Sequence, residues 1–247
     1  MLLAVAVAAV LLGSGPPVQA ELTITGTFDS SFSASFGANA AAAEAAWNNA
    51  AAVLMNTYSA SPSVQNASIN ITVSAVADQS IFGQSSGEPL YSFGYAPLMA
   101  NYATNAMKSG NPDQLLSVSA SGSLGQPNPD PSGTYWLFQA QAKALGLIPQ
   151  TGTDGQTTFG AGFNWNFNQS GTTGSQYYFE GVALHEITEV MGRVGLESGT
   201  IGTTPDSHSI VDLFAYTGPG ARSPTVMALS SPSTMERHCS RNITTIR

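Results

Sequence analysis

The amino-acid sequence predicts a single α+β domain. Residues 22–28 and 68–76 alternate apolar and polar side chains as half-buried strands do, and residues 38–58 and 179–190 are long enough and apolar enough for buried helices. The resulting order is strand, helix, strand, loops, helix, edge strand, helix, with no internal repeat, and it implies one small mixed sheet with helices beside it.

Each element has its own signal. Leu, Ile, Thr and Phe alternate through 22–28 as the first strand, and the Ser/Gly stretch 30–37 after it reads as a loop. The Ala-rich run 38–58 is a helix with Trp47, Val53 and Leu54 as core contacts. Residues 68–76 set Ile69, Ile71 and Val73 on one face of a strand. Residues 89–107 end in a short helix, 122–133 form a Gly/Pro loop, and 135–147 read as a helix closed by Gly146 and Pro149. Asp154-Gly155 marks a turn before a short strand at 157–159. The aromatics of Phe163-Asn164-Trp165-Asn166-Phe167 fit an edge strand that covers the core. The last helix, 179–190, ends near Gly192 or Gly195, and an apolar segment at 209–216 follows.

The ends of the chain carry different information. Met1 to Leu12 is an apolar run, too short for the ~20 residues of a membrane span, and Val18-Gln19-Ala20 has the small residues of a leader cleavage site. Residues 1–20 are therefore expected to be a signal peptide, 21–220 the domain, and the protein secreted or held at the cell envelope without a stable membrane anchor. Residues 221–247 hold four Arg and one Glu, a basic tail that is disordered or aberrant in frame and to which no role is assigned. The formal charge of −8 excludes nucleic acid and an anionic membrane surface as partners. A single cysteine, Cys239, leaves no internal disulfide, so compactness must come from the core or a bound metal.

The chemistry is concentrated in His185-Glu186-Ile187-Thr188-Glu189. His185 and Glu189 lie four apart on a predicted helix, so both project from one face and together grip a divalent cation. Glu186, beside the first ligand, is placed to act as general base on a water activated by the metal. This is the logic of His-Glu-x-x-His metallohydrolases with Glu in the second ligand position, and mixed His/carboxylate zinc sites are established chemistry. Val182, Ala183, Leu184, Ile187, Val190 and Met191 surround the three groups, and ionisable groups in such a helix require pairing, a metal or a cleft. The plainer reading pairs Glu189 with Arg193 at i,i+4 on an exposed face. A third metal ligand comes from Glu197, Asp206, His208 or Asp212. Asp212 is favoured because it interrupts the apolar run Ile210-Val211-Asp212-Leu213-Phe214, with His208 as the chemical alternative and a turn-capping role for Asp212 as the structural one.

The segments Gly181–Arg193 and Val211–Ser223, with weaker likeness at Ala142–Leu147 and Asp154-Gly155, resemble a group of secreted bacterial zinc metallopeptidases of the zincin type, many of which bear a C-terminal sorting anchor. The resemblance covers most of Leu22–Ser223. It implies a zincin-like single domain, zinc as cofactor, a polypeptide substrate, His185 and Glu189 as metal ligands, Glu186 as catalytic base, and Asp212 as the recurrent acidic residue of the downstream block. Gly195 stands where metzincins carry their third His, so a metzincin ligand set is excluded. Two other readings use the same residues: a zincin-like protein without catalysis, and a surface module that binds glycans or proteins through the aromatics of 163–167.

Overall fold

The chain opens as predicted on β1 (Leu22–Phe28). The computed structural model describes residues 21–59, 66–87, 89–101, 130–168, 174–214, 216–218 and 221–222; the expected leader, most of the expected tail and Cys239 lie outside the described residues. After β1 the Ser/Gly stretch folds as helix α1 (Ser30–Phe36), not as a loop. Asp29 nucleates it, because its carboxylate accepts the backbone N–H groups of Ser31 (2.9 Å) and Phe32 (3.2 Å). Phe32 and Phe36, four apart, then bury one face. Helix α2 (Ala40–Ser59) follows within two residues of its expected bounds.

Two small mixed sheets make the protein α+β. The first has the order β1, β2 (Ala67–Val76), β6 (Gly155–Gly160), β3 (Gly83–Gly87). Its first three strands are parallel, and β3 closes the edge antiparallel to β6. The second has the order β4 (Leu90–Phe93), β5 (Thr134–Phe138), β10 (Thr204–Ser209), β9 (Gly199–Ile201), with β5 and β10 parallel. Here the prediction of a helix over 135–147 is corrected. Thr-Tyr-Trp-Leu-Phe favours the pleated surface of a strand and forms β5, and only Gln139–Ala144 is helical, as α3. The short pair β7 (Trp165–Asn166) and β8 (Tyr177–Tyr178) leads into α4 (Phe179–Val190), whose bounds are those predicted. A 3-10 turn (Val211–Phe214) and the hairpin β11 (Tyr216–Gly218)–β12 (Ala221–Arg222) complete the described chain. No helix of the described residues is long and apolar enough to cross a membrane.

The main core lies between the first sheet and α1, α2 and α4. Trp47 is its centre, fully buried over Gly26, where a Cβ would come within 2.6 Å of the ring. Phe163 and Phe167 pack against this core, and Trp165 stands edge-on to Phe179 at 5.2 Å between ring centres. The aromatic run therefore covers the core instead of forming an exposed platform for sugars. A smaller core around Leu98, Tyr135, Leu137 and Leu213 backs the second sheet.

A buried ion pair ties α3 to the first sheet. Lys143 and Asp154 are both fully buried at 2.6 Å, and the ammonium also donates to the carbonyls of Ser68 and Gly152, so all three of its protons are used. Asp154 in turn accepts the N–H of Asn70 at 2.8 Å. Removing one partner leaves a buried charge, which costs about 3–5 kcal/mol. Lys143→Met should lower the unfolding free energy in urea by that order, and adding Asp154→Asn should recover part of the loss. Equal stability of the single variant and wild type would show that the pair carries no net constraint.

Candidate functional site

Helix α4 has one face committed before any chemistry is considered. Phe179, Ala183, Ile187 and Val190 are fully buried in the main core. At 3.6 residues per turn this turns Glu186 and Glu189 toward the edge strand β3 and leaves His185 half-exposed at the rim. The strand accepts two carboxylates because it is built from small residues. A Cβ on Gly83 would lie 2.5 Å from Oε1 of Glu186, and the Ser85 hydroxyl donates to Oε2 of Glu189 at 2.7 Å.

The structure brings His185 and Glu189 together as the spacing predicts, with Nε2 of the imidazole 3.0 Å from Oε1 of the carboxylate. Glu186 is buried beside them, and its Oε2 has no hydrogen-bond partner among the described residues. Burial, and then the like charge of Glu189, push the Glu186 carboxyl up to about 7. Glu189 raises the proton affinity of His185, against burial and the charge of Arg193. The helix ends in a Schellman motif: Gly192, at φ 95°, donates to the carbonyl of Glu189 and Arg193 to that of Thr188. This reversal folds the Arg193 side chain back over the last turn. Its Nε donates to the Thr188 hydroxyl at 2.9 Å, and Nη2 lies 3.0 Å from Nδ1 of His185 and 3.9 Å from Oε1 of Glu189. A cavity of about 450 Å³ adjoins this end of the helix, bounded by Thr188, Met191 and Arg193 on one side and Leu22, Ile69 and Ala140 on the other.

Asp212, expected as the third ligand, is placed otherwise. It is fully buried, and its Oδ2 accepts three backbone N–H groups, from Ser209 (2.7 Å), Leu196 (3.0 Å) and Glu197 (3.2 Å). The amides compensate Oδ2 and organise the turn between α4 and the 3-10 segment, while the buried Oδ1 has no hydrogen-bond partner among the described residues. Among the described residues it does not join His185 and Glu189 in a ligand group.

The structure gathers a different set that could hold a metal ion. Asp130, Asp206 and His208 place their ligand atoms within 4.8 Å of one another. Nε2 of the fully buried His208 is 3.0 Å from Oδ2 of Asp130 and 3.5 Å from Oδ1 of Asp206. Parallel pairing of β5 with β10 sets His208 beside Tyr135, and the two rings stack at 5.4 Å. Gly133 is required here, since a Cβ would come within 2.7 Å of Nε2 of His208. Asp206 sits at φ 53°, inside the irregular step of β10 between Thr204 and Ser207. The Ser132 hydroxyl bridges the acids, at 2.8 Å from Asp130 and 2.9 Å from Asp206, and with His208 it holds Asp130 below the usual carboxylate range. Burial, and then the Asp130 charge, push the Tyr135 phenol up to about 12, so it is neutral beside this group. Asp206 and His208 were among the sequence candidates; Asp130 was not, because Asp130-Pro131-Ser132-Gly133 reads as turn chemistry alone.

Glu186 gives the protein a pH dependence. Its folded-state proton affinity lies above the ordinary value of 4.5, so the stability it contributes is complete below that value and is lost as pH rises through about 7. Glu186→Gln should flatten the fall in the urea midpoint between about pH 4.5 and pH 7 in chelator-treated protein. An unchanged slope would mean that another group carries it.

Compared with protein-family models, with curated proteins and with solved structures, the chain matches none, and the reading of this site rests on its own geometry.

Proposed function

We propose that the protein is a secreted, zinc-dependent hydrolase that cleaves polypeptides at the His185–Glu189 pair of α4. The observation that carries this reading is the convergence of an imidazole nitrogen and a carboxylate oxygen at 3.0 Å on one helix face, beside a buried glutamate with an unpartnered oxygen. A nitrogen and an oxygen donor so placed would supply two of the three protein ligands that a catalytic zinc takes, and Ser85 holds the second from behind through Oε2 of Glu189. When bound, zinc supplies the Lewis acidity that makes a water nucleophilic near neutral pH and polarises a carbonyl. The work of the chain is then positional and protonic. Glu186 accepts the proton of the attacking water and returns it to the leaving amine nitrogen, a role in which its burial near the core keeps the proton available at neutral pH. Proton transfer of this kind contributes roughly 10²–10⁴-fold to rate.

Elemental mass spectrometry on protein purified without chelator tests the ligands, and an unfolded-protein substrate tests the chemistry. His185→Ala should lose bound zinc; Glu186→Gln should keep it while turnover falls by about 10²–10⁴-fold. Full activity of Glu186→Gln, or zinc content unaffected by His185→Ala, overturns the assignment.

A second reading has its own observation. Asp130, Asp206 and His208 offer an N,O,O donor set within 4.8 Å, suited to zinc or manganese, that would staple the turn before β5 to β10 in a structural role. A cation present at 100 times its dissociation constant stabilises by about 2.7 kcal/mol, which raises Tm by several degrees in a domain of this size. That rise should be present in wild type and lost in Asp206→Asn. A rise that survives Asp206→Asn but not His185→Ala places the stabilising cation on α4 alone.

A further inference from the structure

Arg193 contacts both groups assigned above to the metal, and its chemistry is opposed to theirs. A guanidinium has only N–H donors, so in the neutral ring Nδ1 of His185, 3.0 Å from Nη2, presents its lone pair. The ring proton of the neutral imidazole then sits on Nε2 and is donated to Oε1 of Glu189 at 3.0 Å. Yet Nε2 is the ring nitrogen that faces Glu189, so a cation held by both residues must take its electron pair there. Binding such a cation removes the proton from Nε2. The neutral ring then carries its proton on Nδ1, where it meets the Arg193 N–H groups head-on. The second conflict is charge. Nη2 lies 3.9 Å from Oε1 of Glu189, close enough to share the carboxylate that a divalent cation needs.

The position of Arg193 is built into the fold. Gly192 turns the chain back at the end of α4, and the Thr188 hydroxyl, which itself donates to the carbonyl of His185 at 2.8 Å, receives Nε. Among the described residues Lys143 is the other cation whose side chain is placed, and it is consumed by Asp154. The side chain of Arg193 is about half exposed, so it has room to leave.

We propose that Arg193 is the resident cation of the metal-free site, and that guanidinium and divalent metal are mutually exclusive occupants of the His185–Glu189 pair. The inference rests on the reading of that pair as the metal site. Arg193 keeps Glu189 neutralised and the imidazole in one tautomer until metal arrives, and it swings outward when metal binds. It is a positioning and regulatory residue that sets how tightly the site loads.

The test measures zinc affinity by competition with a chromophoric chelator, with His185→Ala as control. Arg193→Gln should bind zinc about tenfold more tightly than wild type, the size expected for loss of one charge-assisted hydrogen bond. Thr188→Val keeps the charge but removes the Nε anchor, and a smaller tightening of roughly two- to fivefold is expected. Long-range proton–nitrogen NMR of the metal-free protein should show His185 protonated on Nε2, and the proton on Nδ1 after zinc is added. Zinc bound through His185 with equal or weaker affinity in Arg193→Gln overturns the exclusion while leaving the metal site standing. Zinc binding that is indifferent to His185→Ala, or absent from wild type and variants alike, overturns both.

Discussion

The constraint on which the site depends is the packing of α4. Four side chains of that helix must enter the main core, and an α-helix has only so many faces. With Phe179, Ala183, Ile187 and Val190 directed inward, the remaining positions of the motif have no choice of direction: Glu186 and Glu189 meet β3, and His185 meets the rim. The edge strand answers with Gly83 and Ser85, one giving space and the other a hydroxyl. A bulkier strand would push the helix away from the sheet, and the carboxylates would be solvated instead of held. Chemistry and packing are therefore set by the same rotation of one helix.

This explains which parts were legible in the sequence. A helix whose periodicity is enforced by a core announces itself, so the sequence yields α4 with its bounds and with His185 and Glu189 on one face. Elements decided by a single local device were missed. The stretch after β1 looks like a Ser/Gly loop until Asp29 is seen to cap it and Phe32 and Phe36 to share a face. The segment from Tyr135 carries helical spacing and strand composition at once, and tertiary pairing with β4 and β10 decides for strand over its first half. Asp212 was read as a ligand because a carboxylate in an apolar run needs compensation. Three backbone amides bond its Oδ2: that of Ser209 is the turn-capping alternative the sequence offers, whereas those of Leu196 and Glu197, 16 and 15 residues away, leave no trace in local sequence. Asp130 is invisible for the same reason, since its meeting with His208 is created by the pairing of β5 with β10.

Two groups of ionisable side chains result, and their surroundings separate their roles. Asp130, Asp206 and His208 belong to a turn and a strand, with Ser132 crossing between the acids, and the stacked Tyr135 stays a neutral phenol. On α4 the imidazole is at the rim, one oxygen of Glu186 is without a hydrogen-bond partner among the described residues, and the neighbouring cation reaches in from a half-exposed side chain. The first arrangement could hold an ion, and on the reading proposed above the second would exchange one and move protons.

The scarcity of cations sharpens that contrast. Residues 1–220 hold fourteen acids against three basic side chains, so most acids must find neutral partners. Four aspartates do so through backbone N–H groups: Asp29 at the start of α1, Asp78 on Ser80, Asp130 on Ser132 and Gly133, Asp212 on its three amides. Each sits at a turn or helix start, where amides are unsatisfied by the helix or sheet ladder and a short side chain reaches them. Glu186 and Glu189 have no such recourse. They lie in the interior of a helix, where every N–H is already bonded one turn back. Their compensation must come from side chains or from outside the chain, and the chain provides Ser85, His185 and a half-exposed Arg193. Two buried carboxylates placed where the backbone cannot serve them, next to an imidazole and a half-exposed guanidinium, therefore depend on side chains for their compensation.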